Sequence, residues 1–205
     1  MGVAVRRAPR LAHVTVTPQA ISVTPTFLGA SPALLQTGVR AGFDPLGHIR
    51  RFAFDLLASL DPGQRSAAIL SDQPPQEVLT SQFQVDRPEW RRWRDRLSRD
   101  GIAASTFDDA QMALLRRLLD EIASTYRSEI GESWLRSLDP RSLSFAWMGA
   151  TQRGRPHYFR IQGESLVFEL DAAQGDGTHV HAVWRERAGD FGAGALEQHY
   201  RSERH

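Results

Sequence analysis

Four stretches near the end of the chain decide the fold: Ser142-Leu-Ser-Phe-Ala-Trp-Met148, Pro156-His-Tyr-Phe-Arg-Ile-Gln162, Ser165-Leu-Val-Phe-Glu-Leu170 and Thr178-His-Val-His-Ala-Val-Trp-Arg185. Each is short, rich in aromatic and β-branched residues, and bounded by turn-forming residues, which is how strands read. Gly163-Glu164 between the second and third is a two-residue hairpin signal. Gln174-Gly175-Asp176-Gly177 is a turn before the fourth, and 149–155 is a turn region after the first. Successive strands joined by such short links pair antiparallel.

Upstream of Pro140 the period changes from two to 3.6. Ile49, Phe52, Ala53, Leu56, Leu57 and Leu60 have helical spacing and predict a helix over Leu46 to Leu60. Asp61 as cap and Pro62 at the first position open a second short helix running through Leu70. A third is expected over Phe107 to Tyr126, with Thr106 and Asp109 capping it and Met112, Leu115, Leu119 and Ile122 inward. Gly131 interrupts, and Trp134 to Leu138 adds one turn. A further helix is expected over Pro88 to Leu97, with Trp90, Trp93 and Leu97 on one face, and a terminal one over Leu196 to Arg201. The stretch from Ser71 to Pro88 reads as a surface excursion. Leu11 to Phe27 reads as two β segments broken at Pro18, and Thr26 to Pro32 as a loop. Strands, then helices, then antiparallel strands define an α+β fold: an antiparallel sheet of short strands packed against several helices. Residues 1–10 read as a basic tail and 11–205 as a single domain.

Composition narrows the chemistry. The 205 residues carry no cysteine, so disulfides, thiolate metal sites and a cysteine nucleophile are excluded. All 25 basic residues are arginine, which excludes Schiff-base chemistry and a phosphate-binding P-loop lysine in this chain. They nearly balance 24 acidic residues, so no basic face marks a nucleic-acid partner. The arginine–tryptophan mixture of 88–97 is diluted by Glu89 and Asp95 and reads as an amphipathic helix docked on the core. No apolar run approaches the roughly 20 residues of a membrane span. Arg6-Arg7 is not followed by a signal-like apolar segment, so a cytoplasmic location and no membrane partner are expected.

Seven histidines carry the functional reading. His179 and His181 form an H-x-H pair in a strand, so both imidazoles leave the same face, with Cβ atoms about 7 Å apart. That spacing lets two rings reach one metal at the usual Zn–N distance of roughly 2.0–2.1 Å. His157 lies in the strand pair just upstream, with Glu169 and Asp171 on the connecting strand. The other reading of the pair is two imidazoles held by hydrogen bonds in a polar sheet face. Acid–base work by His179 or His181 without a metal is a third. Arg160 reads as a buried or rim salt-bridge partner, or as an anchor for a substrate carboxylate. His48, His199 and His205 read as surface residues.

Three ordered stretches resemble a bacterial family known as domain of unknown function 3500. They are Val23-Thr-Pro-Thr-Phe-Leu-Gly-Ala-Ser-Pro32, Pro156-His-Tyr-Phe-Arg-Ile-Gln-Gly163 and His179-Val-His-Ala-Val-Trp-Arg185; Asp190-Phe191-Gly192 and His199-Tyr200 fit its tail. The resemblance runs from about Leu11 over nearly the whole chain. It implies an α+β fold and puts His13, His157, His179 and His181 on motif positions. It implies no established activity. Family members are longer, with a helical N-terminal part, and carry Gly-His-His where this chain has Leu11-Ala12-His13. Their asparagine-rich turn is replaced here by residues 172–177. The resemblance therefore implies an N-terminally short member, expected to self-associate if the missing part normally covers the sheet.

The leading expectation is a metal-assisted enzyme, a hydrolase or oxygenase acting on a small-molecule substrate. His179 and His181 are its expected ligands for a divalent metal, zinc or iron, with His157 or His13 completing the set. Arg160 and Gln162 are expected to orient the substrate. The alternatives are a non-enzymatic binding or interaction domain, and a degenerate fragment.

Overall fold

The computed structural model describes residues 10–16, 21–80, 100–186 and 189–193. Its centre is an antiparallel meander of β7 (Ser144–Gly149), β8 (His157–Gln162), β9 (Leu166–Gln174) and β10 (His179–Glu186). These follow the four stretches quoted above to within a few residues at each end. The sheet continues past β10 through β4 (Thr26–Ala30) to β1 (Arg10–Ala12). Past β7 it ends on β5 (Ile69–Ser71), which pairs parallel, while β6 (Ile102–Ala103) also pairs with β7. The order is β1-β4-β10-β9-β8-β7-β5, and β2 (Thr15–Val16) and β3 (Ile21–Ser22) form a separate hairpin. A largely antiparallel sheet and, among the described residues, four helices make the protein α+β.

The pleat sorts side chains between two faces. One face is apolar. Phe145 and Trp147, Phe159 and Ile161, Phe168 and Leu170, and Ala182 and Trp184 share a single buried core with the helices. α1 (Gly47–Ser59) contributes Ile49, Ala53, Leu56 and Leu57 to it, and α3 (Asp109–Ala123) contributes Met112, Leu115, Leu118, Leu119 and Ile122. Each Leu, Ile, Met or Phe among them gains roughly 1.5–3 kcal/mol on leaving water, which is why the periodic positions read from sequence are the ones buried.

α2 (Pro62–Ala68) starts as expected. The Asp61 carboxylate accepts from Gln64 N–H, and the Gln64 amide oxygen accepts from Asp61 N–H. It stops two residues early: Ile69 and Leu70 belong to β5, because the parallel bond to β7 overrides a short helix's weak propensity. The cap of α3 is Asp108, with Gln111 closing the box, whereas Thr106 lies in the preceding 3-10 turn. Gly131 does not interrupt; it lies inside α4 (Ser128–Ser137). A Cβ there would stand 2.6 Å from the Ala123 carbonyl oxygen, so glycine lets α4 cross close to the end of α3.

Two regions depart further from the sequence reading. Thr26 to Ala30 is not a loop but an inner strand, bonded to β1 on one side and β10 on the other. Gly29 and Pro32 suggest punctuation, yet partners on both edges satisfy the backbone groups in between. The beginning of the excursion is not confined to the surface either. Val78 and Thr80 are buried against the second sheet face. The helices expected over 88–97 and 196–201 lie outside the described residues.

Candidate functional site

The second face of the meander is polar, because alternation puts Tyr158, Arg160, Gln162, Glu169, Asp171, His179, His181 and Arg185 on it. Most of these are buried, so each must find partners. Glu169, 0 % exposed, meets that demand fully. Its carboxylate accepts from the Tyr158 hydroxyl at 2.6 Å, from Leu79 N–H at 2.9 Å and from Thr80 N–H at 3.0 Å. The Thr80 hydroxyl donates to it as well. Arg185 donates to the Thr80 carbonyl at 2.8 Å and to Asp190 at 2.7 Å. Residues 78–80 are thus pinned across the face as a strap. Burial, then the Glu169 charge, hold the Tyr158 phenol well above its ordinary range, so it stays a donor.

Two residues along β9 the situation changes. Asp171 is also 0 % exposed, and its Oδ1 accepts from Ala173 N–H at 2.8 Å. Its Oδ2 has no hydrogen-bond partner. That oxygen stands 3.7 Å from Nδ1 of His181, its register partner on β10, whose side chain is 16 % exposed. The His181 ring rests against Phe27 of β4, at 5.0 Å between centroids, and meets the His179 ring at 4.5 Å. A β-bulge between His179 and His181 lets both rings crowd the same rim. Partial burial, and then repulsion from His181, lower the His179 imidazole below its usual range, against the opposing pull of Asp171. His179 is therefore biased towards the neutral form.

The structure brings together only part of the expected histidine set. His179 and His181 are neighbours, with Asp171 behind them. His157 is on the opposite, apolar face. It is stacked on Trp147 at 5.4 Å, edge-on to Phe54 of α1 at 4.7 Å, and 1 % exposed. Its Nδ1 lies 2.8 Å from the Arg155 carbonyl. Burial above all pushes its pKa down to about 4; the Arg155 contact opposes this. The alternation that pairs His179 with His181 is what separates His157 from them. His13 fails for a different reason. Its N–H donates to the Pro25 carbonyl, four residues of strand before Gly29, the partner of His181; that is about 13 Å away. Its ring lies against Phe191 instead. Among the described residues no group of three or more His, Asp or Glu side chains is arranged to hold a metal ion.

Arg160 and Gln162 do share the polar face, but 2 % and 1 % exposed respectively, with Arg160 across from Glu169 and against the Tyr158 hydroxyl. A guanidinium so placed belongs to the internal network, and as placed neither side chain opens to solvent. His48 is exposed, as expected, and His199 and His205 lie outside the described residues. Tyr158, Thr80 and Arg185 went unread as a group. Their signal was available in the sequence: polar residues at every second position of paired strands mark a face that something must cover.

Fold and site together define an α+β domain whose antiparallel sheet has one apolar face and one buried polar face, with an imidazole–carboxylate pair at the rim of the latter. Within that class the chain belongs to the family described as Protein of unknown function (DUF3500), whose family model matches residues 11–193. Comparison with curated proteins and with solved structures found no match. Among the described residues no helix is long and apolar enough to cross a membrane.

Proposed function

We propose that the protein is an enzyme that moves protons on a small-molecule substrate, in its simplest form a hydrolase, with His181 as general base and Asp171 as the carboxylate that orients it. The observation that carries this reading is the unpartnered Oδ2 of a fully buried Asp171 facing Nδ1 of a solvent-accessible imidazole. A buried carboxylate left half-satisfied costs stability, and such costs concentrate where a site needs them. Turning the ring so that Nδ1–H donates to Oδ2 at about 2.8 Å fixes the tautomer and leaves Nε2 as the acceptor. In hydrolysis Nε2 takes a proton from water, the resulting hydroxide bonds to the acyl carbon, and the leaving group departs with that proton. His179 adds a second imidazole, biased neutral, at the same rim.

A metal-assisted version of the same site is the second reading; His179, His181 and Asp171 are not arranged as a ligand set, so their side chains would have to turn towards one another to hold zinc or iron. It is favoured by an oxygen without a partner beside two imidazoles.

A panel of small esters and amides, assayed with wild type and with His181→Ala and Asp171→Asn, tests the first reading. Loss of general-base catalysis lowers the rate by about 10²–10⁴-fold. Turnover unchanged in a folded His181→Ala protein sinks it. Metal analysis of protein made without a histidine tag separates the two readings. Stoichiometric metal that vanishes in the His179→Ala/His181→Ala double variant favours the second. Metal-free protein with His181-dependent turnover favours the first. A folded protein with neither metal nor turnover points to a non-enzymatic binding domain.

A further inference from the structure

The strap does more than cover Glu169. Between residues 73–79 and the end of β9 it leaves a cleft of about 630 Å³, inside the roughly 300–1,000 Å³ range of small-molecule sites. Ala173, in its wall, is two residues beyond Asp171 on the same face, about 7 Å along the strand. Its N–H is the group that holds Asp171 Oδ1. Gln174, also in the wall, is the register partner of His179. The cleft and the imidazole rim are therefore adjoining parts of one surface.

We propose that this cleft binds a neutral small molecule with a flat or ring-shaped apolar body and one amide or hydroxyl group, and that it presents this molecule to His181. Three prolines, Pro74, Pro75 and Pro156, with Val78 and Leu79, give it rigid apolar walls. Their low conformational freedom means little entropy is lost when a ligand settles. Its uncharged polar groups are amides, on Gln73, Gln76 and Gln174, and the last already donates to the Gln76 carbonyl at 3.2 Å. Amides both donate and accept, which matches a ligand amide or hydroxyl and gives no preference for an ion. Among the described lining residues there is no arginine or histidine, and the one ionisable side chain is Glu77. Glu77 has a partner of its own in the protein. With Asp171 next along the face, an anionic ligand meets repulsion and finds no cation among the described lining residues to offset it. Glu169 acts here as a positioning residue, because the strap it pins is one wall of the cleft.

The inference rests on the acid–base reading for what happens to the bound molecule, and not for binding itself. Benzamide and benzoate have the same ring and nearly the same size but differ in charge. Each is titrated into the full chain while backbone amide NMR signals are followed. Benzamide is expected to move the signals of Gln76, Ala173 and Gln174 with saturation in the millimolar range, and benzoate to bind at least tenfold more weakly. Ala173→Phe, which fills the cleft, is expected to abolish the benzamide response. Gln73→Trp, at an exposed position on the lip, serves as a second filling variant should the first fail to fold. No response at these residues, equal binding of benzoate, or undiminished benzamide binding in a folded filling variant overturns the proposal. The titration is repeated in His181→Ala. Retained binding there supports the cleft whether or not the enzyme reading survives, and binding lost there moves the site onto the imidazole and overturns it.

Discussion

Glu169 and Asp171 are two residues apart on β9, point from the same face and are equally buried, yet they do opposite things. Around Glu169 every oxygen is occupied, by a phenol, a hydroxyl and two backbone N–H groups. Around Asp171 one oxygen holds the strand and the other holds nothing but a 3.7 Å approach to an imidazole. Burial alone does not distinguish the two carboxylates; the account of their lone pairs does. The first region is closed by its strap, and the second opens to solvent through His181.

The largest test of that contrast is Glu169→Ala. It strands a buried phenol and the N–H groups of Leu79 and Thr80, and removes the cross-strand counter-charge of Arg160. Removing one partner of such a buried network costs about 3–5 kcal/mol. The loss is read from the midpoint shift in urea unfolding, and hydrogen exchange at Leu79 and Thr80 should accelerate. A loss below about 1 kcal/mol would mean that the strap is not held by Glu169, and the contrast would fail.

The second test moves to the opposite face, where His157 is an imidazole used only for packing. Its unfolded form titrates near ~6.5, and the folded form has been pushed down to about 4 by burial. The depressed value means that protonation favours the unfolded chain. The full contribution to stability is present above about pH 6.5 and is lost as pH falls through 4, levelling off at about 3 kcal/mol. His157→Phe keeps a ring between Trp147 and Phe54 and removes the proton. Between pH 7 and pH 4 wild type should therefore lose about 3 kcal/mol of unfolding free energy relative to the variant. A pH-independent difference would show that His157 is not the buried neutral group described.

Asp171→Asn ranks third in stability and first in what it says about function. It deletes a buried charge, keeps the side chain's shape and can still accept from Ala173 N–H. Its effect on unfolding should stay within about 1 kcal/mol, while turnover falls with that of His181→Ala. A fall in stability as large as that of Glu169→Ala would make the two carboxylates alike, and Asp171 structural.

The meander, its turns and the inward stripes of α1 and α3 were legible because each is a local period reinforced by burial. The caps at Asp61 and the inner strand at 26–30 show the limits of the same logic. A cap is made within four residues and can be read in place. Whether Thr-Phe-Leu-Gly-Ala pairs depends on β1 and β10, the latter more than 140 residues away, and no local pattern records that. The site was half legible for the same reason. The H-x-H spacing put His179 and His181 on one face, and alternation applied one strand further would have removed His157. Joining Asp171 to His181 required the register between β9 and β10, which is shifted by the bulge.

That bulge sets up the smallest and most local test. His179 is held below its usual pKa first by partial burial and then by the neighbouring His181 ring, while Asp171 pulls the other way. His181→Asn removes the second influence and leaves the first and third. The His179 titration, followed through its ring proton signals, should then move up towards the ordinary histidine range. In Asp171→Asn it should move further down, since the one stabilising charge is gone. Opposite shifts in the two variants place all three side chains in a single electrostatic unit at the rim of the polar face. A His179 titration indifferent to both would confine that unit to Asp171 and His181, with His179 merely adjacent.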